Sequence, residues 1–416
     1  MADPSLTPCI VVTGANSGVG FGICHRLLVQ MSSKCPQDGQ FQYPFHSTRG
    51  QVESLEQPDT SCGGPTLVLA CRDLQRGEAA RTGLYKLFDQ HLHNLRKHRK
   101  YDGHADTFRL NLKIQVLVVD LGSIESIFQF RDELSQRYPY VSHLILNAGM
   151  LSVLKYDEAL AMKQMRANFV EAVTAPNYYI QNVGELSSDG LGKIWQTNVF
   201  GHYVLFRLLE PMLENYKASS GARVIWMSSH EANARNYNPT DWQLLETHHP
   251  YESSKYQVDM ISLQLDRRAL QRCERADVAV RHFTVLPGIV QTNMTSGLAT
   301  RSSKVITNVL FHIARWLGSP YHPFTTYKAA ISAVHACLVP MHAVPIPESF
   351  AAEESADYSR QKDCGLRYTS ETDRRGRTQV GFMKLKQSRK EEVETDTLLD
   401  TFDLLLKSFQ PSEAKG

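Results

Sequence analysis

The sequence predicts an α/β fold: a doubly wound parallel sheet in a single domain, with insertions and a C-terminal helical extension. Three observations carry that prediction. Short apolar, β-branched runs alternate with helix-period stretches between residues 9 and 286. The first run, Cys9-Ile10-Val11-Val12, passes directly into a glycine-rich turn and a helical pattern. The later runs end in small or polar residues, so chemistry-bearing side chains gather at one end of the strands.

Size and composition bound the rest. The 416 residues suffice for one large α/β domain with insertions or for two domains. A net charge of +2, with 45 basic and 43 acidic residues intermixed, excludes nucleic-acid binding driven by a basic surface. The eight cysteines show no C-x-x-C and no paired spacing, which fits a reducing compartment and inert thiols. Met1-Ala2-Asp3-Pro4 leads straight into a strand, so no secretory signal is expected. No run of about 20 apolar residues predicts a spanning helix.

In chain order, the first strand ends in Thr13-Gly14-Ala15-Asn16-Ser17-Gly18-Val19-Gly20, ahead of a helix over 21–31. Glycines let the backbone turn tightly and approach a pyrophosphate, and the helix N-terminus presents unpaired N–H groups to it. The arrangement predicts a Rossmann-type dinucleotide site at Gly14, Asn16, Ser17, Gly18, Val19 and Gly20. Residues 32–65, rich in Gln, Ser, Pro and Gly, read as a mobile surface insertion. The second strand, Thr66 to Ala70, is followed by Cys71-Arg72-Asp73. An arginine at this strand end pairs with a 2′-phosphate, so Arg72 favours NADPH over NADH.

A helix is expected over 74–91, then a basic, His-rich exposed loop over 92–113 without metal-site spacing. The third strand, Ile114 to Val119, delivers Asp120, which can accept from the adenine amino group. Ser123 is placed to cap the next helix. The fourth strand, Val141 to Leu146, ends in Asn147-Ala148-Gly149, a triplet that lets the chain pass close to a cofactor. Residues 150–190 read as irregular, a second insertion or part of a substrate wall. A long helix over 191–216 contains Asn198, a poor mid-helix residue that predicts a side chain or kink holding water near Lys255.

The fifth strand, Arg223 to Met227, ends in Ser228-Ser229, where a hydroxyl can hold a substrate carbonyl. The helix carrying Tyr251 and Lys255 follows a long connection over 230–250. A spacing of four puts phenol and ammonium on one helix face, so Lys255 is expected to lower the Tyr251 pKa and poise it for proton transfer. The sixth strand, Val278 to Leu286, ends in Pro287-Gly288-Ile289-Val290-Gln291-Thr292, whose backbone and Thr292 hydroxyl can reach a nicotinamide carboxamide. An apolar helix over 305–317, edged by Lys304 and Arg315, suits a wall for a large apolar ligand, dipping into a membrane surface. A helical stretch is expected over 326–339, and residues 345–388 show little pattern. An amphipathic terminal helix runs from Glu391 to Phe409.

With these motifs in family order, the chain resembles the short-chain dehydrogenase/reductase family over roughly residues 9–295, insertions excepted. The resemblance implies an Asn198–Ser229–Tyr251–Lys255 tetrad: Tyr251 as acid/base, Lys255 tuning it and holding the nicotinamide ribose, Ser229 orienting the carbonyl, Asn198 holding a relay water. The Ser229-to-Tyr251 interval is longer than the family's, which leaves Ser228 as an alternative. More narrowly, Pro250-Tyr251-Glu252-Ser253-Ser254-Lys255-Tyr256 and Pro287 to Thr295 resemble the fungal 3-keto-steroid reductases of sterol C4-demethylation and their animal 17β-hydroxysteroid dehydrogenase type 7 relatives. That resemblance implies reduction of a 3-ketosterol to the 3β-alcohol with NADPH. It places the chain at the cytosolic face of the endoplasmic reticulum membrane or on lipid droplets, beside other C4-demethylation enzymes. Alternatives are a retinol or carbonyl reductase of another bulky ketone, and a catalytically silent NADP-binding scaffold. The expected organisation is a catalytic domain over 1–295 and substrate-cap helices with an extension over 296–416.

Overall fold

A computed structural model of the chain describes residues 7–40, 64–218, 221–272, 280–291, 301–346 and 365–410, with side chains omitted at 301–304. The elements are β1 (Cys9–Thr13), α1 (Gly18–Met31), β2 (Thr66–Cys71), α2 (Leu74–Leu95), α3 (His104–Asn111), β3 (Lys113–Val118), α4 (Ile124–Arg137) and β4 (His143–Leu146). Next come β5 (Val153–Tyr156), α5 (Glu158–Ala167), α6 (Phe169–Thr174), β6 (Tyr179–Gln181), α7 (Lys193–Trp195), α8 (Gly201–Glu214), β7 (Ala222–Met227) and α9 (Pro250–Arg272). The last are β8 (Val280–Leu286), α10 (Arg301–Trp316), α11 (Thr326–Ala329), α12 (Ile331–Leu338), β9 (Leu366–Thr372), β10 (Thr378–Lys384) and α13 (Arg389–Phe409).

Eight strands form one sheet in the order β10-β9-β8-β7-β4-β1-β2-β3, parallel except for the edge strand β10. Strand order reverses direction between β1 and β4, which opens a crevice at the C-terminal ends of both strands. The central strands β1, β4, β7 and β8 are buried on both faces. One core lies under α4, α8, α9 and α13 around Trp195, Phe206 and Trp226, the other under α1, α2 and α12 around Ile23, Phe88 and Val334. Ser123 caps α4 as the sequence predicts, by accepting the Ser126 N–H.

Four expectations change. The stretch 92–113 is no exposed loop: α2 continues to Leu95, and α3 forms because Phe108 is buried against Phe88 at 5.5 Å between ring centres. Residues 150–190 are ordered into the β5–β6 hairpin and two short helices. The polar segment 345–388 supplies β9 and β10, which extend the main sheet beside β8, so the chain after 295 contributes strands as well as helices. The start of the 32–65 insertion is anchored, since Asp38 is buried and pairs with Arg26 at 2.8 Å, while 41–63 lie outside the described residues.

The terminal helix docks on the core. A capping box of Ser388 and Glu391 starts α13, and Leu398, Leu399, Phe402 and Leu406 turn inward over α8 and α9. Phe402 meets Trp195, Phe200, Tyr203 and Trp242. Gln264 and Arg268 of α9 hold Asp396 of α13 at 2.9 Å and 2.6 Å. As a result α9 is buried from Pro250 to Arg267, polar residues included.

Candidate active site

Where β1 ends, the chain turns through Gly14 at φ 65° and Gly18 at φ 55°. Both angles lie in the left-handed region that a Cβ disfavours. Thr13 ties the turn to the end of β4: its Oγ1 accepts the Asn147 and Ala148 N–H groups at 2.8 Å and 2.9 Å. Asn147 Nδ2 returns a bond to Thr13 O at 2.9 Å. A Cβ on Gly20 would stand 2.4 Å from Gly14 O and 2.5 Å from Asn147 Nδ2, so only glycine lets α1 approach this closely.

The crevice above is a cleft of about 670 Å³. Of the residues the sequence offers for a cofactor, Gly14, Asn16, Ser17, Gly18, Val19, Arg72, Asp120, Asn147, Tyr251 and Lys255 line it. Gly20 lies behind the turn, Val290 lines a neighbouring cavity, and Thr292 is outside the described residues. Arg76 joins Arg72 at the strand-end side of the cleft; sequence reading passed over it because it sits on the first turn of α2. The cleft's glycine cradle, with two arginines at its far end, fits an anionic dinucleotide.

At the other end of the cleft stand the catalytic candidates. Ser229 stands beside the Tyr251 phenol, where its hydroxyl favours the ionised form. Ser228 instead turns into α9, where its Oγ donates to Lys255 O at 3.4 Å. The strand end thus directs Ser229, not Ser228, at Tyr251. Lys255 Nζ donates to Met227 O at 2.9 Å and lies 5.9 Å from the centre of the Tyr251 ring.

The expected pKa relation between Tyr251 and Lys255 is corrected. Burial pushes the Tyr251 phenol up, Glu231 adds to the rise, and the nearby Ser229 offsets part of it. Burial also lowers Lys255 to about 8, so in this arrangement desolvation dominates both groups. Tyr251 therefore keeps its proton at neutral pH, the form needed to donate to an oxygen.

Asn198 sits in a π-helical turn, Gln196–Phe200, between α7 and α8, which supplies the predicted kink. Its side-chain amide is engaged by protein groups. Nδ2 donates to Met150 O at 2.9 Å and to Ser254 Oγ at 3.1 Å, and Oδ1 accepts the Met150 N–H at 2.8 Å. The amide staples the Gly149-Met150 strand exit to α9.

A second cavity of about 380 Å³ adjoins the cleft, and Tyr251, Val19 and Pro287 line both. Its walls include Tyr178 and Tyr179 from the β5–β6 hairpin, Leu310 and Phe311 from α10, and Val290. The hairpin also positions α9. Gln181 Oε1 accepts the Tyr251 N–H at 3.0 Å, and its Nε2 donates to Glu252 at 2.6 Å. Gln181 and Glu231 escaped the sequence reading because neither belongs to a motif. Among the described residues no His/Cys/Asp/Glu cluster could hold a metal ion. Burial pushes Cys9 and Cys337 up to about 12, in line with inert thiols.

No protein-family model matches the chain. It is 31% identical over 329 residues to a 3-keto-steroid reductase of Kluyveromyces lactis, covering 78% of this chain and 79% of that one. The chain belongs to the 3-keto-steroid reductase family. A Schizosaccharomyces pombe member is 27% identical over 78% of this chain and 82% of its own length. The human 3-keto-steroid reductase/17-beta-hydroxysteroid dehydrogenase 7 is 27% identical over 70% of this chain and 67% of its own length. An L-sorbose reductase of Gluconobacter frateurii, solved with NADPH and L-sorbose, superposes with a TM-score of 0.48 at 16% identity, covering 81% of this chain and 92% of that one. The resemblance to this family read from the sequence holds.

Proposed function

We propose that this reductase converts a 3-ketosterol to its 3β-alcohol with NADPH, in the C4-demethylation stage of ergosterol-type sterol synthesis. The observation that carries the reading is Tyr251, which faces the nucleotide cleft and the apolar-walled cavity at once, with Ser229 beside it. The names of the family members give the substrate class. NADPH, when bound, supplies the hydride. Ser229 and Tyr251 hold the ketone oxygen, and Tyr251, protonated at neutral pH, gives its proton to that oxygen as charge develops. Lys255 adds positive charge at the base of the cleft, and Arg72 with Arg76 takes the 2′-phosphate.

The outer face of α10 supports contact with a membrane surface. Ile306, Val309, Ile313 and Trp316 are exposed on it, while Leu310 and Phe311 turn into the cavity. Arg315 and Lys328 meet the β9–β10 turn, where Arg374, Arg375 and Arg377 are exposed, so cations rim the apolar face. No described helix is long and apolar enough to cross a membrane. A sterol would enter the cavity from the lipid, at the endoplasmic reticulum surface or a lipid droplet, beside the other C4-demethylation enzymes.

The test is steady-state reduction of a 4-methyl-3-ketosterol against all-trans-retinal, with NADPH and with NADH. Turnover of the ketosterol with NADPH is expected, and its loss in Tyr251→Phe. A Tyr251→Phe enzyme as active as the wild type refutes the assignment.

A further inference from the structure

Glu231 supplies the only carboxyl among the described residues that line the 380 Å³ cavity. It follows Ser229 by two residues, and its N–H donates to Ser229 Oγ at 3.2 Å, so the loop fixes it relative to the Ser229–Tyr251 pair. Its Oε2 is buried without a hydrogen-bond partner. No ion pair neutralises it among the described residues. A carboxylate left so is expensive, whereas a neutral carboxylic acid is tolerated.

The groups facing it do not change that balance. From α9, Glu252 opposes its ionisation and Lys255 favours it, the weaker of the two influences. From the hairpin, Tyr178 and Tyr179 are phenols that burial holds protonated. On its own loop, His230 stacks near Tyr321 at 4.2 Å, and burial first, then His322 and Arg367, keep it neutral. Burial, with Glu252 next, takes Glu231 up to about 8.

An ionised Glu231 would act on the proposed reduction in two ways. It would hold the Tyr251 proton more tightly, because Glu231 is the leading charge that raises that phenol. It would also repel the negative charge that forms on the ketone oxygen. A neutral Glu231 does neither.

We propose that Glu231 is a positioning residue that gates turnover through its own proton: the neutral carboxyl is the active form, and its ionisation beside Tyr251 sets the alkaline limit of ketone reduction. This rests on the reduction proposed above. In that reaction a bound NADPH would supply the hydride for the carbonyl carbon, while Tyr251 gives its proton to the oxygen and a solvent proton restores Tyr251. Glu231 is not consumed.

Two measurements on the full chain test it. In pH-titrated infrared difference spectra, the wild type should show a carboxylic-acid C=O band that disappears with a midpoint near pH 8. Glu231→Gln should lack that band. In NADPH-dependent reduction of a 4-methyl-3-ketosterol, Glu231→Gln is compared with the wild type after each rate is scaled to that enzyme's own rate at low pH. One pH unit above the midpoint it should exceed the wild type by about 10-fold, because only about a tenth of Glu231 is then neutral. The proposal is overturned if Glu231 titrates in the ordinary carboxylate range. It is equally overturned if both enzymes lose activity together at alkaline pH, which would assign the limit to Lys255. If the wild type reduces no ketosterol, the functional reading fails, and the infrared titration alone decides the protonation of Glu231.

Discussion

Gln181→Leu should uncouple the β5–β6 hairpin from the catalytic helix. Gln181 is buried, and its amide makes two bonds to the first turn of α9: it accepts the Tyr251 N–H at 3.0 Å and donates to the Glu252 carboxylate at 2.6 Å. Leucine keeps the volume and removes both. A bond to a charged group contributes about 1.5–3 kcal/mol, and a buried N–H left alone costs about 1–3 kcal/mol. Both groups are buried, so little solvent replaces the amide, and a total near 3 kcal/mol is expected. With a urea m-value of about 3 kcal/mol/M, the unfolding midpoint drops by about 1 M at unchanged m. Among the described residues, Glu252 then retains only His249, at 3.5 Å, as an ionic neighbour. A double-mutant cycle with Glu252→Gln should therefore give a coupling of about 1 kcal/mol or more. Turnover should fall with NADPH affinity unchanged, because the nucleotide turn at Gly14–Gly20 is built from other elements. A midpoint within about 0.2 M of the wild type, or additive single effects, would refute the clamp.

Lys255→Met should be inactive yet unfold at higher urea at neutral pH. Burial lowers Lys255 from 10.5 to about 8, so its charge opposes folding below pH 8. Between about pH 8 and 10.5 the unfolded chain binds the extra proton, the wild type gains stability as pH rises, and the gap between the two proteins should close; a constant gap counts against the assignment. Gly20→Ala should weaken NADPH binding at least about tenfold by fluorescence titration, because its Cβ meets Gly14 O at 2.4 Å, a collision that backbone strain must absorb. Arg72→Asp should bring the kcat/KM ratio for NADPH over NADH down by about tenfold or more, read by paired steady-state assays. Ile306→Glu with Trp316→Glu should abolish flotation with anionic liposomes while leaving thermal stability within about 1 °C, since both side chains are exposed.

The parallel sheet was legible because Val11, Val68, Leu144 and Val224 lie in short β-branched runs separated by helical periods, a local signal. The nucleotide turn was legible for the same reason, with its glycines adjacent in sequence. β9 and β10 were not. Leu366–Thr372 reads as polar, and it becomes a strand because β8 offers an open edge and Asp259 of α9 pairs with Arg367 at 2.6 Å. Tyr251, Lys255 and Ser229 could be chosen by spacing. Their electrostatics could not, since the Tyr251 pKa follows from burial and from Glu231, which nothing in the sequence marks. Asn198 shows the intermediate case. Its poor helix propensity pointed to a kink, and the kink exists, but its hydrogen-bond partners Met150 and Ser254 come from the strand exit and from α9.

The seat of α13 on α9 has a consequence for synthesis. The contact between Gln264 and Asp396 spans 132 residues, and that between Tyr203 and Asp403 spans 200. At about 5–20 residues per second, a ribosome needs on the order of 10 s to deliver Asp396 after Gln264 has emerged. During that interval the pocket that Phe402 later fills, between Trp195, Phe200 and Trp242, faces solvent or a chaperone. The catalytic helix is made before the element that shelters it, so nascent chains stalled ahead of α13 should be preferred clients of holdases and of quality-control proteases.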